Sequence, residues 1–403
     1  MGGIADRVAG AGLPARRRTL ALAALAAAGG LGWAALGRAA DRPPLPATLD
    51  LLERPAPATG HGQRKLLLDV TTGGPGLVAV GEFGLLLGSA DQGRSWQQLP
   101  GPTSVMLTAV HFVDARHGWA VGHDGVVLAT TDAGRSWARR FDGRQANAAV
   151  LVAARAQVAA AAAAAGASPA QSQARQDRAA DALAAAEDAV KAGPSSPLLA
   201  LRFVDRQRGW VAGAFGQLFA TADGGARWTY LGDRLDNPDG LHLNGLTVTP
   251  QGELYIAAEM GRVFRSADGG QTWQRADTGY NGHLYGVLAL PGGGATPATL
   301  LAYGFNGHLF RSRDRGASWS ALPRPGVKTL VAGALHGDAA LLLSEDGRLY
   351  LSRDGGEHFQ PLGGPLGTRR LAGFTLLGEH LVAVGSGGVS VHTLALDAAG
   401  APR

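Results

Sequence analysis

The chain has 403 residues, 61 of them Gly, with 17% charged side chains and a formal net charge of +5. It contains no Cys, which excludes disulfides, thiolate metal sites, a Cys nucleophile and a lipid anchor on Cys. Lys and Arg form no dense stripe, so nucleic acid is not an expected partner.

At the N-terminus Arg16, Arg17 and Arg18 precede an uncharged run, rich in Ala and Leu, over residues 19–37. A charged region followed by an apolar one is the pattern of a secretory signal. The run is at the short end for a bilayer span of about 17–25 residues, and Arg38 disrupts a small-x-small cleavage site near Ala40. Residues 1–40 are therefore read as a signal peptide or membrane anchor helix. The rest of the chain is then expected outside the cytoplasm, in the periplasm, either free or held at the inner membrane. Residues 41–62 are Pro-rich and expected to be extended.

From residue 63 onward a ruler takes over. Ser89-Ala-Asp91-Gln-Gly-Arg-Ser-Trp96 has the form Ser/Thr-x-Asp-x-Gly-x-x-Trp, and the form returns around Asp132 and Trp137, Asp223 and Trp228, Asp268 and Trp273, and Asp314 and Trp319. A sixth copy holds Asp354 and ends in Phe359. A glycine stands five residues before each copy (Gly84, Gly125, Gly216, Gly261, Gly307, Gly347), and Gly388 marks a seventh half-repeat without an Asp motif. Successive motif aspartates are 41, 91, 45, 46 and 40 residues apart, so one step holds an insertion. Seven units of this period predict an all-β, seven-bladed β-propeller over residues 63–403.

In the second unit, residues 106–112 read as the inner strand, 118–122 as the second, 126–130 as the third and 137–141 as the outer one. The Asp motif makes the turn before the outer strand. Its carboxylate accepts from backbone N–H groups of that turn, Gly supplies the left-handed position, and Trp packs into the blade. These residues are read as structural rather than catalytic. The last unit lacks an outer strand of its own, and a propeller hides its edges by closing the ring. Part of residues 44–53 is expected to supply that strand beside the seventh blade.

The doubled step contains residues 145–193. An Ala-rich helix over 148–165 is broken at 166–169. Ser168 and Gln171 have capping-box spacing with Pro169 at the first helical position, and a second helix runs to about Lys191. The insert is an αα-hairpin between blades 2 and 3.

This strand order brings the turns between second and third strands, and the loops between blades, to one face. That face gathers Glu82, Phe83, His123, Asp124, Phe215, Glu259, Phe305 and Asn306 from the turns. The loops add Asn237, Asp239, His242, Tyr280, His283, Arg369 and Arg370. Aromatic side chains mixed with charged ones suit protein recognition, and these residues are the candidate partner-binding set. No catalytic residue, metal ligand or cofactor is assigned. The His residues form no ligand spacing, and no phosphate-cradling loop or Gly-x-Ser-x-Gly is present.

The phrases Phe112-Val113-Asp114 to Gly122 and Phe203-Val204-Asp205 to Gly213, together with the Asp motifs, resemble the photosystem II stability/assembly factor family of BNR-type propellers. The resemblance covers about residues 60–395 without the insert. It implies a non-enzymatic, exported scaffold that binds an integral membrane protein and assists assembly or stability of its complex, acting as a monomer; in a photosynthetic host the place would be the thylakoid lumen. The alternative is a glycan-binding or sialidase/glycosidase-like propeller, since sialidases share the Asp motif. That class needs an Arg triad on inner strands and an Arg-Ile-Pro. The latter is absent, and the predicted inner strands carry few Arg.

Overall fold

A computed structural model describes residues 50–164, 168–291, 299–367 and 369–394. The expected signal or anchor helix in residues 1–40 and the segment 41–49 lie outside the described residues.

Among the described residues, six four-stranded antiparallel sheets and one three-stranded sheet follow one another as blades 1 to 7. Blade 2 shows the pattern, with strands Leu107–Phe112, Gly118–Gly122, Val127–Thr130 and Ala138–Phe141 from the axis outward. These bounds agree with the sequence reading to within one residue. The second strands are buried on both faces. The two alternating sets of side chains therefore both face protein, one set toward each neighbouring blade. Trp119 and Val121 pack toward blade 3, and Ala120 toward blade 1. Seven apolar clusters result, one at each seam between blades.

The repeated wording now has physical causes. Asp114 Oδ1 accepts from the N–H groups of Arg116 (2.7 Å) and His117 (2.8 Å), and Asp205 Oδ1 does the same for Gln207 and Arg208. The rings of Phe112 and Phe203 lie over Gly118 and Gly209, where a Cβ would stand 2.6 and 2.4 Å from the ring carbons. At the other end of the strand, a Cβ on Gly122 would come 2.1 Å from the Met106 carbonyl oxygen. Glycine at both ends of Gly-Trp-x-x-Gly thus answers close approach rather than a turn. The Trp between them links blades. Trp119 stacks on Phe203 (centroids 3.6 Å apart, 5° between planes) and its indole N–H donates to the Gly224 carbonyl of blade 3 at 3.0 Å. Trp210 donates to Gly269 of blade 4 at 3.2 Å, and in blade 4 Tyr255 takes the same place, its hydroxyl donating to Arg315 of blade 5 at 3.1 Å.

The Asp motif is a closed turn. Asp91 Oδ1 accepts from the Ser89 hydroxyl (2.9 Å) and the Ser95 N–H (2.9 Å), Oδ2 from the Ser95 hydroxyl (2.6 Å), and Trp96 donates to the Gly93 carbonyl (3.0 Å). At Asp132, Asp223, Asp268, Asp314 and Asp354, Oδ1 likewise accepts from the Ser/Thr hydroxyl two residues earlier and the N–H four residues later, while Oδ2 meets Arg227 at Asp223 and His358 at Asp354. The carboxylates of Asp91, Asp132, Asp268 and Asp314 are held down at about 2, first by a side-chain hydroxyl donor at the fourth residue on. Both oxygens of each of these four carboxylates accept hydrogen bonds from within the turn.

Two expectations need correction. The hairpin begins earlier than residue 148. Helix α1 spans Gly143–Ala163, capped by Asp142, whose side chain accepts from Arg144 N–H while Gln145 reaches back to the Asp142 N–H. Helix α2, Pro169–Ala192, has the expected Ser168–Gln171 capping box. α1 is long and apolar enough to cross a membrane by length and composition. Here its small side chains Ala154 and Ala161 are buried, as are Ala179 and Ala186 of α2, while Asn147 Nδ2 donates to the Ala189 carbonyl at 2.9 Å.

The second correction concerns the described end of the proposed closing strand. Residues 50–53 do not lie beside blade 7, whose described sheet has three strands. Leu52 is buried in the seam between blades 1 and 2. Ser104 N–H donates to the Leu51 carbonyl at 2.8 Å, and Arg139 and Arg144 engage Glu53, with Arg144 also pairing with Asp50. The chain then passes blade 1 through Ala56 N–H to the Gly101 carbonyl (3.0 Å) and reaches the one-turn helix Gly62–Arg64. A Cβ on Gly388 of blade 7 would stand 2.0 Å from the Gln63 carbonyl. Residues 50–64 form a strap from the hairpin base to the seam of blades 7 and 1. A buried leucine holds it where sequence periodicity gives no signal.

Candidate functional site

In blades 1 to 5 the turn between second and third strands has the same backbone. Its middle residue and the following glycine both have positive φ, as in a type I′ hairpin turn: Phe83 (+52°) with Gly84, Asp124 (+55°) with Gly125, Phe215 (+56°) with Gly216, Met260 (+54°) with Gly261, and Asn306 (+54°) with Gly307. Asn, Asp and Gly favour this position. Asp124 and Asn306 conform, whereas Phe83, Phe215 and Met260 do not. These three are also solvent-facing, 61%, 66% and 38% exposed. A large apolar residue held exposed in a left-handed conformation gains nothing for the fold, and such local strain points to function.

The first residue of each turn donates its N–H to the carbonyl just before the inner strand of its own blade, as with Glu259 to His242 (3.3 Å) and Phe305 to His283 (2.9 Å). Every inner strand then carries a bulge after its first residue. In blade 5 the bulged residue is Tyr285, which is 38% exposed.

Over blades 3 to 5 these features join into one patch. The Phe215 ring meets His242 edge to face at 4.9 Å. Glu259 accepts the His242 N–H at 2.9 Å, and its other oxygen lies 3.7 Å from His242 Nδ1 and 3.2 Å from His283 Nδ1. His283 approaches the Phe305 ring at 6.3 Å, and the Tyr280 hydroxyl donates to the Phe305 carbonyl at 3.3 Å. Tyr280 in turn stacks on His308 at 4.1 Å. Burial, then the nearby Glu345 and Glu259, raises the Tyr285 phenol above its ordinary value, so it stays a neutral donor. Among the described residues no group of three or more His, Asp and Glu is placed to hold a metal ion.

Of the residues expected on this face, the structure joins Phe215, His242, Glu259, Tyr280, His283 and Phe305 by direct contacts. Others project from the same end of other blades. Glu82 and Phe83 stand on blade 1, and Arg369 and Arg370 on the loop entering blade 7, with Arg370 3.6 Å from Glu345. His123 and Asp124 lie at the hairpin base, where Gly143 packs on the Asp124 carbonyl, and burial raises the Asp124 carboxyl. Asn237 is a loop fastener: its Oδ1 accepts the Leu241 N–H and its Nδ2 donates to the Leu241 carbonyl. Asp239 is exposed in the same loop, and the carbonyl of Asn306 takes a bond from Arg324. Tyr285 is the member that sequence reasoning missed, because its exposure depends on the bulge.

A sequence profile of the Photosynthesis system II assembly factor YCF48 family matches residues 88–155 and 183–362. The chain belongs to this family. The profile skips about half of the hairpin and runs from the third strand of blade 1 to the end of blade 6. No curated protein matches the chain. Among solved structures, "YCF48 bound to D1 peptide" aligns with TM-score 0.56 and 17% identity, covering 82% of this chain and 94% of that one. YCF48 from Cyanidioschyzon merolae aligns with TM-score 0.55 and 16% identity, covering 84% and 98%. The computationally designed Ika8 protein aligns at TM-score 0.50 with 10% identity, covering 83% and 98%. At these identities the likeness concerns the propeller fold.

Proposed function

We propose that this protein is an exported, non-catalytic propeller scaffold that binds an integral membrane protein through the patch over blades 3 to 5 and assists assembly or stability of its complex. The observation that carries the reading is the exposure of Phe215 and Met260 in left-handed conformations around the His242–Glu259–His283 group. An apolar anchor ringed by polar side chains is the usual composition of a protein-binding hot spot. Family membership supports the assembly role, and one structural neighbour is named as bound to a D1 peptide. The N-terminal sequence pattern supports export. The glycan-acting alternative has less support, since the motif carboxylates are consumed within their own turns.

Site-specific photo-crosslinking tests this reading. A benzophenone amino acid at position 215, in protein expressed in its native host, is expected to crosslink to an integral membrane protein. The same probe at position 94, in an Asp-motif turn at the opposite end, is expected to give none. Equal crosslinking from both positions, or only soluble products from position 215, would sink the proposal.

A further inference from the structure

The inner strands enclose a water-accessible cavity of about 1590 Å³ along the propeller axis. One register position recurs in every inner strand, three residues from the top of its partner strand. In blades 7, 1, 2, 3 and 4 it is filled by Thr375, Thr71, His111, Arg202 and Thr247, paired with Val382, Val78, Trp119, Trp210 and Tyr255. The two remaining blades supply apolar side chains. This tier is near the lower end of the inner strands, away from the upper patch.

Arg202 is the odd member. It lines the cavity and is reached by solvent there, yet it has no hydrogen bond or ion pair among the described residues. The other arginines on the cavity wall are engaged: Arg208 pairs with Asp205 at 2.8 Å, and Arg234 donates to Gln271 Oε1 at 2.6 Å. The nearest inner-strand carboxylate does not answer Arg202 either. Asp69 directs Oδ1 to the Val70 N–H (2.8 Å) and Oδ2 to the Val110 N–H (2.9 Å). The guanidinium remains charged in any protein environment, although burial lowers its affinity for its proton. Arg202 thus faces the water of the cavity with no carboxylate to answer it among the described residues. Its neighbour His111 stays neutral, held to about 3 by burial and then by the charge of Arg202, so it neither cancels that charge nor adds to it.

We propose that this tier is a binding site for a small free oxyanion, a carboxylate or inorganic phosphate, with Arg202 as its cation and the hydroxyls of Thr71, Thr247 and Thr375 at the same level. A guanidinium presents paired N–H donors whose fork matches two oxygens of such an anion. The site is independent of partner binding at the upper patch.

Calorimetric titration of the full chain with sodium phosphate and, separately, sodium succinate, at ionic strength matched with sodium chloride, tests this. Saturable one-site binding of at least one anion is expected. Arg202→Gln should weaken it by about tenfold or more, and Arg202→Lys should retain part of it as a point charge. Arg175→Gln, on the hairpin, should behave as the unchanged protein. Because Arg202 has no partner to lose, Arg202→Gln should keep the same melting temperature without anion, which separates binding from folding. Binding that survives Arg202→Gln at full strength, or no saturable binding of either anion at millimolar concentrations, overturns the assignment. The phosphate and succinate arms together decide which oxyanion the site prefers.

Discussion

Replacing Phe215 with Gly separates fold from function. The residue sits at φ +56° and is 66% exposed. A left-handed conformation costs an L-residue about 1–2 kcal/mol, which glycine relieves. Glycine gives back about 0.5–1 kcal/mol through the greater freedom of the unfolded chain. Loss of the edge-to-face contact with His242 costs about 0.5 kcal/mol at an exposed site. The net effect on folding is small, from about 0.5 kcal/mol of lost stability to about 1 kcal/mol gained. Binding moves the other way. A Phe side chain buries roughly 150–250 Å², and with two-thirds of it still free, docking would cover about 130 Å². At about 25 cal/mol per Å² this is worth about 3 kcal/mol, so even after ordering costs the variant should bind the partner at least about tenfold more weakly. Thermal unfolding followed by circular dichroism reads the first quantity, and titration against the purified crosslinked partner reads the second. Stability lower by more than about 1 kcal/mol with unchanged affinity would refute the reasoning, since Phe215 would then serve the fold.

The folded-state carboxyls of Asp91, Asp132, Asp268 and Asp314 are at about 2, below their ordinary 3.8. Their contribution is therefore complete above about pH 4 and lost as the pH falls toward 2, and Asp132→Asn should flatten part of that decline in melting temperature. Asp69 has the opposite sign. Burial raises it from 3.8 to about 7 against two backbone donors that favour the ionised form, so its contribution is full below about pH 4 and is lost as the pH rises through 7. Asp69→Asn should remove that decline, and identical melting profiles from pH 4 to 8 would show that Asp69 does not titrate as described. In the strap, Leu52→Ala removes a side chain that is 1% exposed and should cost about 2–4 kcal/mol. Arg144→Ala breaks pairs that are largely open to solvent and should cost about 1 kcal/mol or less. Urea midpoints compare the two, and a larger effect for Arg144 would mean that the ion pairs, not the leucine, hold the strap.

Much of the fold was legible because each blade repeats one physical problem. The third-to-outer turn must satisfy its own amides, which fixes Ser/Thr, Asp, Gly and Trp at set offsets, and the second strand must be apolar on both faces. The start of α1 was equally present in the sequence, as the capping pair Asp142 and Gln145, but the Ala run drew attention further along. The strap carried no such signal, for its contacts are backbone bonds, one leucine and a few ion pairs. The site was half legible. Strand order placed Phe215, His242, Glu259, His283 and Phe305 on one face, but not in contact. Tyr285 and Arg202 were hidden by the bulge after the first residue of every inner strand, which shifts the alternation of side chains by one.

The linked blades and the patch coincide, and this bears on how strained side chains stay in place. The donors Trp119, Trp210 and Tyr255 tie blade 2 to 3, 3 to 4 and 4 to 5. The patch lies on blades 3, 4 and 5. Each donor ends on the lower turn of the next blade, and at two of these seams, those of Trp210 and Tyr255, the patch contacts Phe215–His242 and Glu259–His283 cross at the upper end. A seam pinned at both ends resists sliding of one blade past another, the motion that would let the upper turns relax out of their left-handed conformations. Trp is needed for this because a buried indole spans the seam with its ring and still delivers one donor to a carbonyl. Tyr255 does the same with a hydroxyl, and there the seam also buries the ring completely. The Gly-Trp-x-x-Gly wording and the exposed aromatic patch are thus two ends of one device: the first supplies the rigidity that the second requires in order to present Phe215 and Met260 already in place.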